Sequence, residues 1–135
     1  MSPAVRLTNR YLVLCGERWP DTVRFWRTNA GAGVGMSVVH QAIALIEAGA
    51  IKAGVALLRR PVSFGPTGGT DLTGFAVKSW GQQIITAEVK AGRDSLRDSQ
   101  KEWHSFLKEF RIPIIIVRDD LDQAIRDTAV FVEGA

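Results

Sequence analysis

The sequence predicts an α/β chain in which a central mixed β-sheet is flanked by α-helices. Its hydrophobic spacing switches repeatedly between the helical and the strand interval, and IPIIIVR at 112–118 is almost wholly apolar, as in a strand covered on both faces. With 135 residues, 46% of them hydrophobic and 23% charged, the chain can build one modest core and is not of disordered composition. A single domain over residues 1–135 is the expectation.

Residues 3–17 fit a first helix, with Pro3 tolerated in its first turn and Val5, Leu12 and Leu14 among its apolar positions. Trp19-Pro20-Asp21 reads as a turn, because proline cannot continue a helix and restricts the residue before it. Thr22–Thr28 alternates and is rich in aromatic and β-branched residues, so it is a predicted strand. The glycine-rich stretch Asn29–Gly35 follows as a loop. A helix over Ser37–Ala48 comes next, with Val38, Ile43, Leu45 and Ile46 apolar, and Gly49 is placed to end it. Residues 50–63 stay open between a helix followed by a strand and a strand alone, and Pro61 favours a sheet edge. Phe64–Gly69 reads as a second loop.

Two strands, Leu72–Ser79 and Gln83–Lys90, are expected to form a hairpin with its turn at Trp80-Gly81-Gln82. After a short loop at Ala91–Ser95, Leu96–Phe110 is the most helix-like stretch, with Leu96, Trp103, Phe106, Leu107 and Phe110 on one side. Ile112–Arg118 is the buried strand, and Asp119-Asp120 offers a cap for a last helix through Asp127.

Several classes of function are disfavoured. No apolar run reaches the roughly 18 residues of a membrane-spanning helix, so no membrane partner is expected. The N-terminus lacks the order of a secretion signal. Cys15 is the one cysteine, which excludes an internal disulfide framework and a cysteine-rich zinc site. A cytoplasmic, reducing compartment fits. His40 and His104 fall in no metal-ligand spacing, and NAGAGVG lacks the Lys-Ser/Thr of a phosphate-cradling nucleotide loop.

The net charge of +3 is small, but its distribution is uneven. Residues 1–70 carry eight basic and three acidic side chains; residues 71–135 carry nine basic and eleven acidic. A positive half joined to a carboxylate-bearing half suits a protein that holds polyanions and hydrolyses them with a metal.

Gly68 to Gln100 holds the pattern with chemistry in it. Glu88 and Lys90 are two apart on a strand and share a face, while Asp71 begins the neighbouring strand of the same hairpin. Hard oxygens from Asp71 and Glu88, with the Val89 carbonyl, suit Mg²⁺ or Mn²⁺, and Lys90 can stabilise charge developing on a phosphodiester. Asp after a glycine loop and Glu-x-Lys on a strand are each common on their own. The order of glycine loop, Asp, hairpin, Glu-x-Lys and a helix with Gln near its start is what singles them out.

GTDLTGF and ITAEVKAGRDSLRDSQKEWHSFL together resemble the core of the virus-type replication-repair nuclease (VRR-NUC) domain, a branch of the PD-(D/E)xK superfamily. Gly68, Asp71, Glu88, Lys90, Leu96, Ser99 and Gln100 carry the likeness, and Trp26–Gly31 and IPIIIVRDDLDQAI extend it less specifically. The resemblance implies a restriction-endonuclease-like core and a metal-dependent, structure-specific DNA endonuclease. Asp71, Glu88 and Val89 would hold the metal, Lys90 would be the catalytic lysine, and Gln100 would hold the site or the scissile phosphate. Arg27 and Asn29 would lie near the metal or the DNA backbone, with Arg59 and Arg60 adding phosphate contacts. Stand-alone members resemble homodimers that cut branched DNA such as four-way junctions, and a small phage or prophage protein fits the length. Alternatives are a nicking or flap nuclease using the same site, and a non-catalytic DNA-binding protein that kept the fold. Trp80, at the hairpin tip, is placed to wedge at a branch. One departure stands out: the family's first-helix Glu has no counterpart, since residues 3–16 contain no acid, leaving Asn9, Glu17 or Glu47 to stand in. The segment Gly33–Gly54 is an addition that could serve a dimer.

Overall fold

The computed structural model describes residues 1–28, 32–33, 36–59, 62–63 and 69–134. Asn29, Arg60, Pro61, Gly68 and most of the loops expected at 29–35 and 64–69 lie outside the described residues. In chain order the elements are α1 (Pro3–Arg18), β1 (Val23–Arg27), β2 (Ala32–Gly33), α2 (Met36–Glu47), α3 (Ile51–Leu58), β3 (Val62–Ser63), β4 (Leu72–Lys78), β5 (Gly81–Val89), α4 (Asp98–Glu109), β6 (Ile114–Val117) and α5 (Leu121–Val132). The chain divides into two compact units, one of residues 1–28 and 66–135, the other of residues 29–65.

The first unit is built on a four-stranded sheet in the order β1-β4-β5-β6. β1, β4 and β5 pair antiparallel, whereas β5 and β6 pair parallel, so the sheet is mixed as expected. Leu72 and Ala76 of β4, Ile85, Ala87 and Val89 of β5, and Ile115 and Val117 of β6 form one core with α1 and α5. Because side chains alternate across a strand, Thr73 and Phe75 of β4 and Thr86 and Glu88 of β5 occupy the opposite face. Over β5 that second face meets α4, which buries His104 and Leu107.

Local chemistry explains where these elements start and stop. Ser2 caps α1 by accepting from the Val5 N–H (3.2 Å), and Pro3 sits in the first turn, where its missing N–H costs nothing. α1 buries Leu7, Thr8, Tyr11 and Cys15, one face of the helix, with Leu12 and Leu14 only partly covered and Val5 exposed. Tyr11 and Thr128 share a 2.7 Å hydrogen bond that ties α1 to α5, and the burial that seals this contact raises the Tyr11 hydroxyl far above its ordinary pKa. At the far end of α5, Lys78 donates to the carbonyls of Phe131, Val132 and Gly134, a cation where the helix leaves its carbonyls unpaired.

Several sequence expectations shift. The hairpin turn is Ser79-Trp80, since Lys78 pairs with Gly81, and β5 therefore begins at Gly81 and not at Gln83. α4 begins at Asp98, not Leu96, because Arg97 is extended and its N–H is taken by the Gln100 side chain. β6 is limited to Ile114–Val117, and α5 runs beyond Asp127 to Val132. On α4 the apolar side chains Phe106 and Phe110 are exposed; the buried side is His104 and Leu107.

In the second unit, residues 50–63 resolve into α3 followed by β3. β3 pairs antiparallel with β2, and α2 and α3 form a helical hairpin. A Cβ at Gly54 would stand 2.5 Å from Ile46 Cγ1 and 2.7 Å from the Ala42 carbonyl oxygen, so glycine is what allows the close crossing. Ala42 and Gly54 are buried here, whereas Ile43 and Ile46 are exposed. Among the described residues, no helix is long and apolar enough to cross a membrane.

α2 and α4 end in the same way. After α2, Gly49 (φ 88°) donates to the Ile46 carbonyl and Ala50 to that of Leu45. After α4, Arg111 (φ 57°) donates to Lys108 and Ile112 to Leu107. Both are Schellman closures, but the second places an arginine in the left-handed region, which costs roughly 1–2 kcal/mol for a residue with a Cβ. Arg111→Gly should therefore stabilise the fold by about 0.5–1 kcal/mol once the extra freedom of glycine in the unfolded chain is set against that cost. Urea denaturation of both proteins checks this; an unchanged or lower midpoint counts against a strained helix end.

Candidate active site

The site begins with strand register. The Thr28 N–H donates to the Asp71 carbonyl at 2.9 Å, extending the β1–β4 ladder by one step beyond Arg27–Leu72. Leu72 pairs with Ala87, so Asp71 stands opposite Glu88. The Asp71 side chain is then held by its Oδ2, which accepts from the Val89 N–H at 2.7 Å. A strand residue presents its N–H and C=O to the same edge, so the Val89 carbonyl faces the Asp71 side as well.

Glu88 and Lys90 point away from the main core toward α4, with only 1% and 3% of each residue exposed. Two titratable groups that deep need polar partners, and α4 supplies them. Gln100 Nε2 donates to Glu88 Oε1 at 2.8 Å, and Gln100 Oε1 accepts from Lys90 Nζ at 2.9 Å and from the Arg97 N–H at 2.9 Å. The same amide thus caps α4 and joins the carboxyl to the ammonium. Lys90 Nζ lies 3.8 Å from Glu88 Oε1 and 3.8 Å from Asp94 Oδ2.

The electrostatics follow from burial. Loss of water around Glu88, and then the negative charge of Asp71, push its carboxyl up to about 8, with Lys90 offsetting part of the effect. His104, one helical turn after Gln100, is buried with Nε2 at 3.8 Å from Glu88 Oε2, and neither atom has a hydrogen-bond partner. Burial first, and then Lys108 and Lys90, hold the imidazole below its usual range, so the ring faces Glu88 uncharged at neutral pH. His104 is the neighbour that sequence reasoning left without a role. The signal was its spacing, four residues after Gln100, which puts both on one helix face.

Asp71, Glu88, Val89, Lys90 and Gln100 are therefore gathered at one place. The other expected residues are not. Arg27 is exposed and pairs with Leu72, so it projects on the α1 face, where it donates to Asn9 Oδ1 at 2.7 Å. That bond commits Asn9, one stand-in for the absent carboxylate; Glu17 is exposed on α1, and Glu47 belongs to the second unit. Arg59, the exposed C-cap of α3, also belongs to the second unit, and Asn29 and Arg60 lie outside the described residues.

The donor set fits a hard divalent cation. Two carboxyls face each other, a carbonyl lies on the same edge, and Glu88 Oε2 is a buried oxygen with no partner. The set is small: among the described residues, no group of three or more His, Cys, Asp or Glu side chains is arranged around a metal position. Comparisons of the chain with protein-family models, with curated proteins and with solved structures find no match.

The raised Glu88 carboxyl sets a pH dependence. In the metal-free chain its proton is retained on folding between about 4.5, the ordinary value, and about 8. Its contribution is thus fully present below 4.5 and is lost as pH rises through 8, with a slope of up to about 1.4 kcal/mol per pH unit. Glu88→Gln should flatten that slope and leave the variant more stable than wild type at pH 8.5 and above. Thermal melts in EDTA across this range test it, and parallel curves for the two proteins would contradict it.

Proposed function

We propose that the chain is a divalent-metal-dependent endonuclease that hydrolyses DNA phosphodiesters, with branched DNA such as four-way junctions as its preferred substrate. The single observation that carries this reading is Glu88 and Lys90 joined by the Gln100 amide, with Asp71 held beside them by the Val89 N–H, at one end of a mixed sheet. It supports the VRR-NUC resemblance because Asp71, Glu88, Lys90 and Gln100, four residues of that pattern, lie together with partners suited to those roles.

Asp71, Glu88 and the Val89 carbonyl would hold Mg²⁺ or Mn²⁺, whose chemistry is to polarise the phosphodiester and lower the pKa of a bound water. Asp71 brings its carboxylate already oriented by the Val89 N–H. Glu88 offers Oε2, the oxygen that Gln100 leaves free. Lys90 is a fixed positive charge, held on the Glu88 side by Gln100, where it can balance charge developing on phosphorus. Gln100 touches no reacting atom in this scheme and acts by keeping Glu88 and Lys90 in register. A two-fold homodimer would supply paired sites for symmetric cuts.

The absence of a third carboxylate at the described positions favours a second reading, a DNA-binding protein that has kept the site's framework without its chemistry. Labelled junction, flap, nicked and linear DNA incubated with Mg²⁺ or Mn²⁺ separates the two. Wild type should cut junctions faster than linear duplex, and Asp71→Ala and Lys90→Ala should each lower the rate by at least about 100-fold. Gln100→Leu should lower it less, on the order of 10-fold, as a support residue. Wild-type protein that cuts none of the four substrates would leave the binding-only reading in place.

A further inference from the structure

We propose that Arg118, the first residue past β6, is a phosphate-contacting residue of the candidate site and grips a DNA phosphodiester on the solvent side of the buried Lys90. This role rests on the nuclease reading for its substrate, and deepens it by naming the exposed cation that the substrate meets.

Register sets Arg118 beside Lys90. Val89 pairs with Val117 in the parallel part of the sheet, and the ladder runs one step further, the Lys90 N–H donating to the Val117 carbonyl at 2.9 Å. Lys90 and Arg118 therefore leave neighbouring strands at the same level, their backbones roughly 5 Å apart. Val89 and Val117 both belong to the core, so the residues after them turn to the other face, the one that Glu88 shows to α4. Lys90 is buried there among Gln100, Glu88 and Asp94, whereas Arg118 is exposed. A phosphate arriving from solvent meets the arginine before the lysine.

The guanidinium is already placed for that encounter. Its Nη1 donates to the Asp94 carbonyl at 3.0 Å, and the next residue, Asp119, accepts from the Gly92 N–H at 3.0 Å. The exit of β6 thus holds the loop that follows Lys90. A carbonyl is a neutral partner and uses one donor of several, and among the described residues Arg118 makes no ion pair. The acids nearby have other partners. Asp94 accepts from the Ser95 N–H and lies 3.8 Å from Lys90, Asp119 holds Gly92, Asp120 caps α5, and Asp98 stands in the first turn of α4. Residues 90–98 and 118–120 together carry four cations and four acids, and the rest of α4 adds two of each sign. Net charge therefore draws no polyanion to this end of the sheet. What can hold one is a fixed guanidinium with donors to spare, whose planar fork matches two oxygens of a phosphodiester.

The test reads binding alone, by fluorescence anisotropy of a fluorescein-labelled four-way junction at several salt concentrations, in EDTA so that no cleavage intervenes. Arg118→Gln, which keeps an amide donor for the Asp94 carbonyl, should bind the junction roughly 5- to 10-fold more weakly, with a salt slope shallower by about one. Arg126→Met, the same loss of charge on α5 over the core face, should stay within about twofold of wild type. Arg118→Met is the second variant, should Arg118→Gln fail to melt cooperatively. Equal binding by wild type and the Arg118 variants overturns the contact, and so does an absence of binding by any of them. An equal loss in Arg126→Met overturns it as general attraction, and weaker binding with an unchanged salt slope overturns it as a loop brace alone. If the binding result holds and no DNA is cut with Mg²⁺ or Mn²⁺, the nuclease reading fails and the phosphate contact stands. If DNA is cut and the Arg118 variants bind it as wild type does, the contact fails and the nuclease reading stands.

Discussion

The Gln100 amide, which joins a buried carboxyl to a buried ammonium, is the interaction on which the rest of the site depends. Glu88 lies on an interior strand and Lys90 directly after it, with 1% and 4% of their side chains exposed. At that depth water cannot satisfy them, and leaving either unpartnered would cost several kcal/mol. Gln100 has both a donor and an acceptor to offer, and it uses both. Its oxygen also takes the Arg97 N–H, so the helix can begin only where this amide reaches β5. The start of α4 is in this sense a property of the site.

β5 extends that dependence to the whole first unit. Ile85, Ala87 and Val89 are core residues, while on the alternate face Glu88 looks toward α4 and Thr86 donates to the Pro113 carbonyl. A shift of one residue in register would exchange the two sets, placing charge in the core and aliphatic groups in the site. The contacts that hold α1 and α5 against the core face thus also hold the carboxyls in place. Tyr11 with Thr128 does this at mid-helix, and Lys78 with the last carbonyls of α5 does it at the end. The Trp19 indole and Arg18 both reach Glu133 and tie the remaining corner.

Much of this was legible in the sequence, for identifiable reasons. Strand periodicity is short and strict, so Glu88 and Lys90 could be placed on one face, and IPIIIVR could be assigned to a covered strand. The same periodicity places Arg27 opposite Trp26, toward α1, a step that the resemblance to a nuclease strand end obscured. Helix faces were harder to read. Counting apolar residues on 96–110 selects Phe106 and Phe110, yet the side turned to the sheet carries Gln100 and His104 with Leu107. Polar atoms are admitted there only because β5 supplies partners ten and more residues away, which no local window contains. The turn is Ser79-Trp80 and not Trp80-Gly81-Gln82, because the register is set across the hairpin and the glycine pairs with Lys78 as the first residue of β5.

The long-range pairing of β1 with β4 has a consequence for how the chain folds. Thr28 and Thr73 join their hydroxyls across 45 residues, and the Tyr11–Thr128 bond spans 117, whereas β4 and β5 meet through a two-residue turn. Closing the longer loops costs conformational entropy before their contacts return it, so the hairpin is the natural early structure and β1 a late arrival. Glu88 and Lys90 are then in place on the hairpin before the hydrogen bond from Thr28 secures the Asp71 backbone. Both members of the carboxyl pair belong to that hairpin, since Asp71 directly precedes β4 and its side chain accepts from the Val89 N–H, so β1 adds a backbone clamp to a pair whose partners already lie close along the chain.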